Sequence, residues 1–182
     1  LEPDALSATT PVEFAARDGL SLDGYLTRPA HVEGDAPLVV LVHGGPFGVQ
    51  DAWGYDKEVQ ILAAQGYAVM QVNFRGSSGR GRGFERLGYR EWGGAMQRDV
   101  TDATRWAQAQ AGIDPARACI MGGSYGAYAA LMGAAREPEL YRCAIGFAGP
   151  YDLPTMFRWG DTQRSRWGRN RLADIIGTEA AE

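Results

Sequence analysis

The feature that most constrains this chain is the sequence Gly-Gly-Ser-Tyr-Gly at 122–126, in which a serine lies between glycines. A short apolar run at 118–121 precedes it, and an alanine-rich run at 125–136 follows it. These patterns predict a strand, then a sharp turn, then a helix. A turn of this kind lifts its serine above the edge of a sheet, so Ser124 is a candidate nucleophile. The alternative is that Ser124 is only a small residue in a structural turn.

The neighbours of Ser124 have predicted roles in the same turn. Gly122 and Gly126 have no side chain, which lets backbone segments cross closely at a strained elbow. The backbone N–H of Tyr125, at the start of the helix, points at the space above Ser124 and can stabilise an oxyanion. One short segment therefore carries a candidate nucleophile and a candidate oxyanion donor.

Strands and helices alternate along the rest of the chain, which favours a mostly parallel sheet flanked by helices. Asp18-Gly19 predicts a hairpin between the first two strands. The predicted strands are 11–15, 20–27, 38–42, 67–72, 118–121 and 143–147, and the predicted helices are 56–65, 95–111 and 125–136, with a weaker helical pattern at 170–176. A chain of 182 residues is long enough for one such domain with a core.

A second glycine motif, His-Gly-Gly-Pro at 43–46, directly follows the predicted strand 38–42. Gly45 has no β-carbon, so its N–H can approach a substrate carbonyl and act as a second oxyanion donor. We expect His43 to shape this loop, with a role as general base as the alternative. The other histidine, His31, lies in a loop that contains proline and glycine, and we expect it to be solvated.

Four ordered motifs resemble those of a known family: HGGPFG at 43–48, NFRGSSGRGRGF at 73–84, EWGGAMQRDVTDA at 91–103 and GGSYGAYAALM at 122–132. Together they resemble the C-terminal catalytic domain of the prolyl oligopeptidase family, in its acylaminoacyl-peptidase and dipeptidyl-peptidase branches. The resemblance covers nearly the whole chain.

This resemblance implies an α/β-hydrolase fold and cleavage of peptide bonds by a Ser-Asp-His triad. It assigns Ser124 as the nucleophile and the N–H groups of Tyr125 and Gly45 as the oxyanion hole. It also implies peptide substrates, no cofactor and no metal. An upstream β-propeller of the same polypeptide would restrict entry to short peptides.

The sequence departs from the family pattern after the serine. In these hydrolases the acid and then the histidine follow the nucleophile, each after a further strand–helix unit of roughly 30 residues. Less than a third of the 182 residues follows Ser124, and none of them is a histidine. Asp152 follows the next strand, but there is no later histidine for it to hold. We therefore expect residues 1–182 to be a partial catalytic domain, incomplete at the C-terminus, that is inactive alone.

Two alternatives to a peptidase stay open. A serine esterase uses the same parts and needs less help for its leaving group. A catalytically inactive binding or structural module would have the fold but not the triad. An Asp and a His after two further strands of the full-length protein would favour the enzyme.

For several other residues the sequence leaves the choice between a binding role and a structural role open. Arg75 either lines a ligand pocket or makes an internal salt bridge that holds the glycine-rich loop. Tyr151 is a possible pocket residue that follows the strand 143–147. Asp99 and Asp102 lie near the start of a helix, where acidic side chains are favoured, and we expect them to be structural. The aromatic residues Phe157, Trp159 and Trp167 either line an apolar pocket or pack in the core.

Composition excludes some classes of function. The net charge is −4 and no long basic run is present, so nucleic acid and anionic membrane surfaces are not expected partners. No apolar stretch is long enough for a transmembrane helix. The N-terminus lacks the pattern of a signal peptide, and we expect a cytoplasmic protein, although an upstream segment could carry a targeting signal. Cys119 and Cys143 lie in apolar runs, which predicts buried free thiols on neighbouring strands rather than a disulfide or a metal site.

Overall fold

A computed structural model describes residues 6–177 of the chain. The strands are β1 (Thr9–Ala15), β2 (Ser21–Thr27), β3 (Ala36–Val42), β4 (Ala68–Asn73), β5 (Ile113–Gly123) and β6 (Cys143–Phe147). The helices are α1 (Lys57–Ala64), α2 (Gly81–Arg86), α3 (Ala95–Gln108), α4 (Tyr125–Arg136), α5 (Leu153–Trp159) and α6 (Arg166–Ile175), with a 3-10 helix at Asp161–Arg164. Each strand that the sequence predicts is present, as are its predicted helices.

The six strands form one sheet in the order β1-β2-β4-β3-β5-β6. The β1–β2 hairpin pairs antiparallel and joins β4 antiparallel, whereas the β4–β3, β3–β5 and β5–β6 pairs are parallel. Parallel neighbours bring the carboxyl ends of β3, β4, β5 and β6 to the same edge of the sheet. The loops that carry the sequence motifs leave the sheet at that edge.

Most of the core lies between the sheet and the helices α3 and α4. Val40, Val42, Met70, Val72 and Ile120 are fully or almost fully buried on this side. A smaller cluster lies where α1 covers the sheet, and it contains Leu41, Val59 and Val69. Burial of apolar side chains on both faces explains the continuous apolar runs of the parallel strands.

Two helices were not predicted from the sequence. The α2 segment is rich in glycine and arginine, and tertiary contacts stabilise it: Phe84 is buried and the Arg80 guanidinium lies 4.4 Å from its ring centroid. The Asp152 side chain caps α5 by accepting a hydrogen bond from the Thr155 N–H. The helix that was only weakly indicated at 170–176 begins earlier, at Arg166.

The prediction of buried free thiols is wrong. Cys119 of β5 and Cys143 of β6 lie opposite each other in the parallel register and form a disulfide, with their Cα atoms 4.7 Å apart. The strands are neighbours, as predicted, but Cys143 is exposed and Cys119 is half-buried. The sequence could indicate that the strands are adjacent, but not that the two cysteines share one register position and one face.

Candidate active site

Ser124 lies at the turn between β5 and α4, at the carboxyl edge of the sheet. Its backbone has φ 54° and ψ −120°, a positive φ that is uncommon for a residue with a side chain. The Ser124 N–H donates to the carbonyl oxygen of Phe147 in β6 at 2.9 Å, which helps to hold this conformation. Ser124 is exposed to solvent.

Gly122 and Gly126 let the end of β3 approach this turn. A β-carbon built on Gly122 would lie 2.5 Å from the Val42 carbonyl oxygen and 2.8 Å from the Gly126 Cα. A β-carbon on Gly126 would overlap the same Val42 oxygen. Backbone, rather than a flexible side chain, occupies the space, so only glycine fits either position without a shift of the chain.

The glycine loop after β3 lies beside Ser124. A β-carbon on Gly44 would lie 3.2 Å from the Gly123 carbonyl oxygen and 3.5 Å from the Ser124 Cβ. The next residue, Gly45, is exposed and has φ +110°. As the first residue of α4, Tyr125 has a backbone N–H with no intrahelical acceptor. The nucleophile candidate and the two candidate oxyanion donors therefore share one edge of the sheet.

His43 anchors this glycine loop. Its Nδ1 donates to the Gly44 carbonyl oxygen at 2.7 Å, and its Nε2 accepts from the Ser77 hydroxyl at 2.8 Å. The ring stacks on Phe74 with centroids 4.4 Å apart. Burial lowers the pKa of His43, which favours the neutral ring, and a neutral ring that donates from Nδ1 accepts at Nε2. Because both nitrogens already have partners, the geometry favours a loop-shaping role over that of a general base.

An aromatic cluster packs around the side chain of Tyr125, the first residue of α4. The Tyr125 side chain is fully buried and contacts the rings of Phe74, Trp92 and Tyr128. Its hydroxyl has no hydrogen-bond partner among residues 6–177. These ring contacts hold Tyr125 in place at the start of α4, directly after Ser124.

Arg75 is held by two aspartates. Its Nε and Nη2 donate to the two carboxylate oxygens of Asp99 at 2.8 and 2.7 Å, and Nη2 also donates to Asp18 at 2.7 Å. The hydrogen bonds to Asp99 raise the pKa of Arg75 above its usual range. This geometry favours the internal salt bridge over the pocket role. Asp102 pairs with Arg17 at 2.7 Å, so both acidic residues of α3 make structural contacts.

Tyr151 lines an open cleft beside the turn. The cleft has a volume of about 370 Å³ and is formed by the segment Gly149–Gly160, including Met156 and Trp159. It begins just after Phe147, whose carbonyl binds the Ser124 N–H. Tyr151 and Trp159 are 49% and 78% exposed, so neither packs in the core.

The described residues supply no base for Ser124. His31 is exposed in its loop, as expected, and within residues 6–177 no hydrogen bond joins the Ser124 hydroxyl to a histidine. Both Asp152 carboxylate oxygens accept hydrogen bonds from Thr155, which lower the pKa of Asp152. Across the same residues, no cluster of His, Cys, Asp and Glu side chains could hold a metal ion. None of the described helices is long and apolar enough to cross a membrane.

Two contacts at the site were not found from the sequence. Ser77 is fully buried and binds His43, which anchors the glycine loop after β3. The Phe147 carbonyl binds the Ser124 N–H from the neighbouring strand. Ser77 lies within the motif at 73–84, so the sequence could have indicated it. No sequence pattern predicts that the backbone carbonyl of Phe147 accepts a hydrogen bond from Ser124.

The parallel sheet, the strand–turn–helix around an exposed serine and the adjacent glycine loop define an α/β-hydrolase fold. Residues 53–174 match the model of the prolyl oligopeptidase family. The chain belongs to this family.

The relatives include peptidases. The chain is 44% identical over 164 residues to dipeptidyl aminopeptidase BIII of Pseudoxanthomonas mexicana, an alignment that covers 86% of this chain and 24% of the relative. It is 26% identical to the uncomplexed structure of Pyrococcus horikoshii acylaminoacyl peptidase, with a TM-score of 0.83 over 97% of this chain and 28% of that one. A puromycin-hydrolyzing peptidase of Mycobacterium tuberculosis is 28% identical, with a TM-score of 0.84 over 97% and 27% of the two chains. The chain thus spans about a quarter of the length of these relatives.

Proposed function

We propose that this chain supplies the nucleophile and oxyanion hole of a serine peptidase that cleaves short peptides through an acyl-enzyme. The observation that carries the proposal is the exposed Ser124 at a positive-φ turn, with the Gly44-Gly45 loop packed against it. The peptidase names of the relatives support the choice of peptide bonds over other acyl groups.

The proposed reaction has two steps. The Ser124 oxygen attacks the peptide carbonyl carbon, and its proton passes to a base, while the N–H groups of Tyr125 and Gly45 stabilise the oxyanion. Collapse breaks the C–N bond, the protonated base gives its proton to the leaving amine, and the acyl group stays on Ser124. Water then attacks the ester in the same manner and releases the acid.

The base and its acidic partner belong, in this proposal, to parts of the protein outside this chain. The chain has no histidine after His43, and it spans about a quarter of its relatives. A further segment would supply the Asp and the His, and an upstream β-propeller would restrict entry to short peptides. Tyr151 would line the substrate cleft beside Ser124, whereas Arg75 would hold the loop at 75–79 in place.

A compartment can be proposed from the disulfide. Disulfides persist in oxidising environments and are rare in the cytoplasm. The Cys119–Cys143 bond therefore favours a cell-envelope or secreted protein over the cytoplasmic location expected from the sequence.

The test compares the full-length polypeptide with the 182-residue chain, each with a Ser124→Ala control. We expect a fluorophosphonate probe to label Ser124 stoichiometrically in the full-length protein, which should also hydrolyse short peptides. The 182-residue chain should show neither, since an unassisted serine hydroxyl is a weak nucleophile. Residual catalysis by oxyanion donors alone is of the order of 10³ to 10⁴ over water, too little for a routine peptide assay.

The outcomes separate the alternatives. Fast turnover by the 182-residue chain would mean that it holds a base which the described contacts do not show. Hydrolysis of activated esters but not of peptides by the full-length protein would indicate an esterase. No labelling and no hydrolysis in either form would indicate an inactive module.

A further inference from the structure

The segment from Arg158 to Arg171 is strongly basic, although the whole chain has a net charge of −4. It contains five arginines and one aspartate. Two of the arginines have carboxylate partners, since Arg164 pairs with Asp161 at 3.3 Å and Arg171 lies 3.9 Å from Glu85. Among residues 6–177, the other three arginines of the segment make no salt bridge.

Those three arginines and two tryptophans form one exposed surface, which we call the arginine surface: Arg158, Trp159, Arg166, Trp167 and Arg169. All five residues are exposed, the tryptophans to 78% and 73%. Arg166 and Arg169 are three residues apart on α6, so they lie on the same side of that helix. Exposed arginines without carboxylate partners, together with exposed tryptophans, are a composition typical of binding surfaces.

Gln163 ties the parts of this surface together. Its Nε2 donates to the Arg158 carbonyl oxygen at 3.0 Å, and its own carbonyl oxygen accepts from Arg169 Nη1 at 2.8 Å. The Ser165 hydroxyl accepts from the Gly168 N–H at 2.9 Å and caps α6. Hydrogen bonds therefore connect the end of α5, the 3-10 helix and the start of α6.

The arginine surface adjoins the cleft that contains Tyr151. Trp159 belongs to both, because it also lines the cleft that contains Tyr151. The cleft in turn begins just after Phe147, whose carbonyl binds the Ser124 N–H. A peptide bound in this cleft would contact Trp159, which is next to Arg158 in the chain.

We propose that the arginine surface selects peptides that carry acidic side chains, by pairing Arg158, Arg166 and Arg169 with their carboxylates. The inference rests on the proposed peptidase function and names its substrate class. Charge complementarity supports it, because three guanidinium groups without carboxylate partners face solvent next to the cleft. Nucleic acid and anionic lipid would also attract arginines, but the net charge of −4 repels extended polyanions elsewhere on the chain.

The test uses the full-length polypeptide and pairs of short peptides that differ only by Glu or Gln, with the substituted position moved along the peptide. The variant is Arg166→Glu with Arg169→Glu. A control with the same change of charge is Arg28→Glu with Arg142→Glu. Both control residues are exposed. Arg28 follows β2 and Arg142 precedes β6, so both lie away from the carboxyl ends of the parallel strands, where Ser124 is found.

We expect KM for the Glu peptide to be roughly threefold to tenfold lower than for its Gln partner at the favoured position, with kcat unchanged. The Arg166→Glu, Arg169→Glu variant should lose or reverse this preference, and high salt should weaken it in the wild type. The control variant should keep the preference. Equal KM values for Glu and Gln peptides at every position would overturn the inference while leaving the peptidase function intact.

Failure of the proposed function itself is detected separately. If no peptide is hydrolysed, fluorescence anisotropy measures whether the Ser124→Ala protein binds the labelled Glu peptide more tightly than the Gln peptide. Preferential binding that the arginine variant loses would still support the arginine surface, and its absence would overturn it. Tighter binding of a single-stranded oligonucleotide or of anionic vesicles through the same arginines, at the same ionic strength, would also overturn the choice of an acidic peptide.

Discussion

At position 126 the absence of a single β-carbon lets the end of β3 contact the start of α4. Gly126 lies within α4, where alanine would ordinarily be favoured over glycine by up to about 1 kcal/mol. The space that the new methyl group needs is filled by the Val42 carbonyl, so the backbone must shift. We expect Gly126→Ala to lower the free energy of unfolding by about 1–3 kcal/mol, because overpacking outweighs helix propensity.

Gly83 provides the matched control for this substitution. It lies inside α2, and nothing lies within 4 Å of a β-carbon built on it. Gly83→Ala should therefore leave stability unchanged or raise it slightly. Urea unfolding of the three proteins measures both effects. Equal stability of Gly126→Ala and the wild type would show that the elbow can relax without cost.

Among the structural elements, β6 is fixed at both ends to β5 and the turn that holds Ser124. Its last residue, Phe147, binds the Ser124 N–H, and its first, Cys143, forms the disulfide with Cys119. The bond closes a loop with a sequence separation of 24. Loop-closure entropy for a loop of this size corresponds to about 3 kcal/mol of stability.

The contribution of the disulfide to stability can be measured by comparing the wild type with a variant that lacks both cysteines. We expect the double variant Cys119→Ala, Cys143→Ala to be less stable than the oxidised wild type by about 3 kcal/mol. Addition of dithiothreitol should destabilise the wild type and leave the variant unchanged in urea unfolding. Native wild type should not react with a thiol reagent before reduction. Prompt labelling of unreduced protein, with no effect of the reductant on stability, would contradict the assignment.

The elements that sequence could predict are those with a local pattern. The apolar run at 38–42 and the Gly-x-Ser-x-Gly segment at 122–126 carry their strand and turn signals within a few residues. The disulfide, the Ser77–His43 hydrogen bond and helix α2 depend instead on register and on contacts between distant segments. Ser77 and His43 are 34 positions apart in the chain, and no local propensity records their contact. For this reason the sequence could predict that Ser124 lies at a turn between a strand and a helix. It could not predict the contacts between distant segments that stabilise the neighbouring loops and strands.

At the scale of the whole molecule, the sheet at β6 has an exposed face and an open edge among residues 6–177. Helix α1 packs on β3 and β4, whereas further along the same sheet Ile145 and Phe147 of β6 are 55% and 78% exposed. Within residues 6–177, β6 pairs only with β5, so its other side is an open edge. Exposed apolar strands with an open edge pair readily with other chains.

We therefore expect the isolated 182-residue chain to associate as its concentration rises. Replacing Ile145 by lysine places a charge on the open strand, as natural edge strands often do, and should keep the chain monomeric over the same range. Leu131→Lys is the control, because Leu131 is 40% exposed on α4 rather than on β6. Sedimentation velocity at several concentrations measures the association of all three proteins.

The Ile145→Lys substitution also tests whether β6 is covered in the full-length protein. If a further segment of the full-length polypeptide covers β6, Ile145→Lys would bury a charge there and lower stability. We expect the full-length wild type to show no association through β6, and its Ile145→Lys variant to unfold at a lower urea concentration. If Ile145→Lys has no effect on the association of the isolated chain, its open edge is not the surface that associates. If it has no effect on the stability of the full-length protein, Ile145 is exposed there too and no further segment covers it.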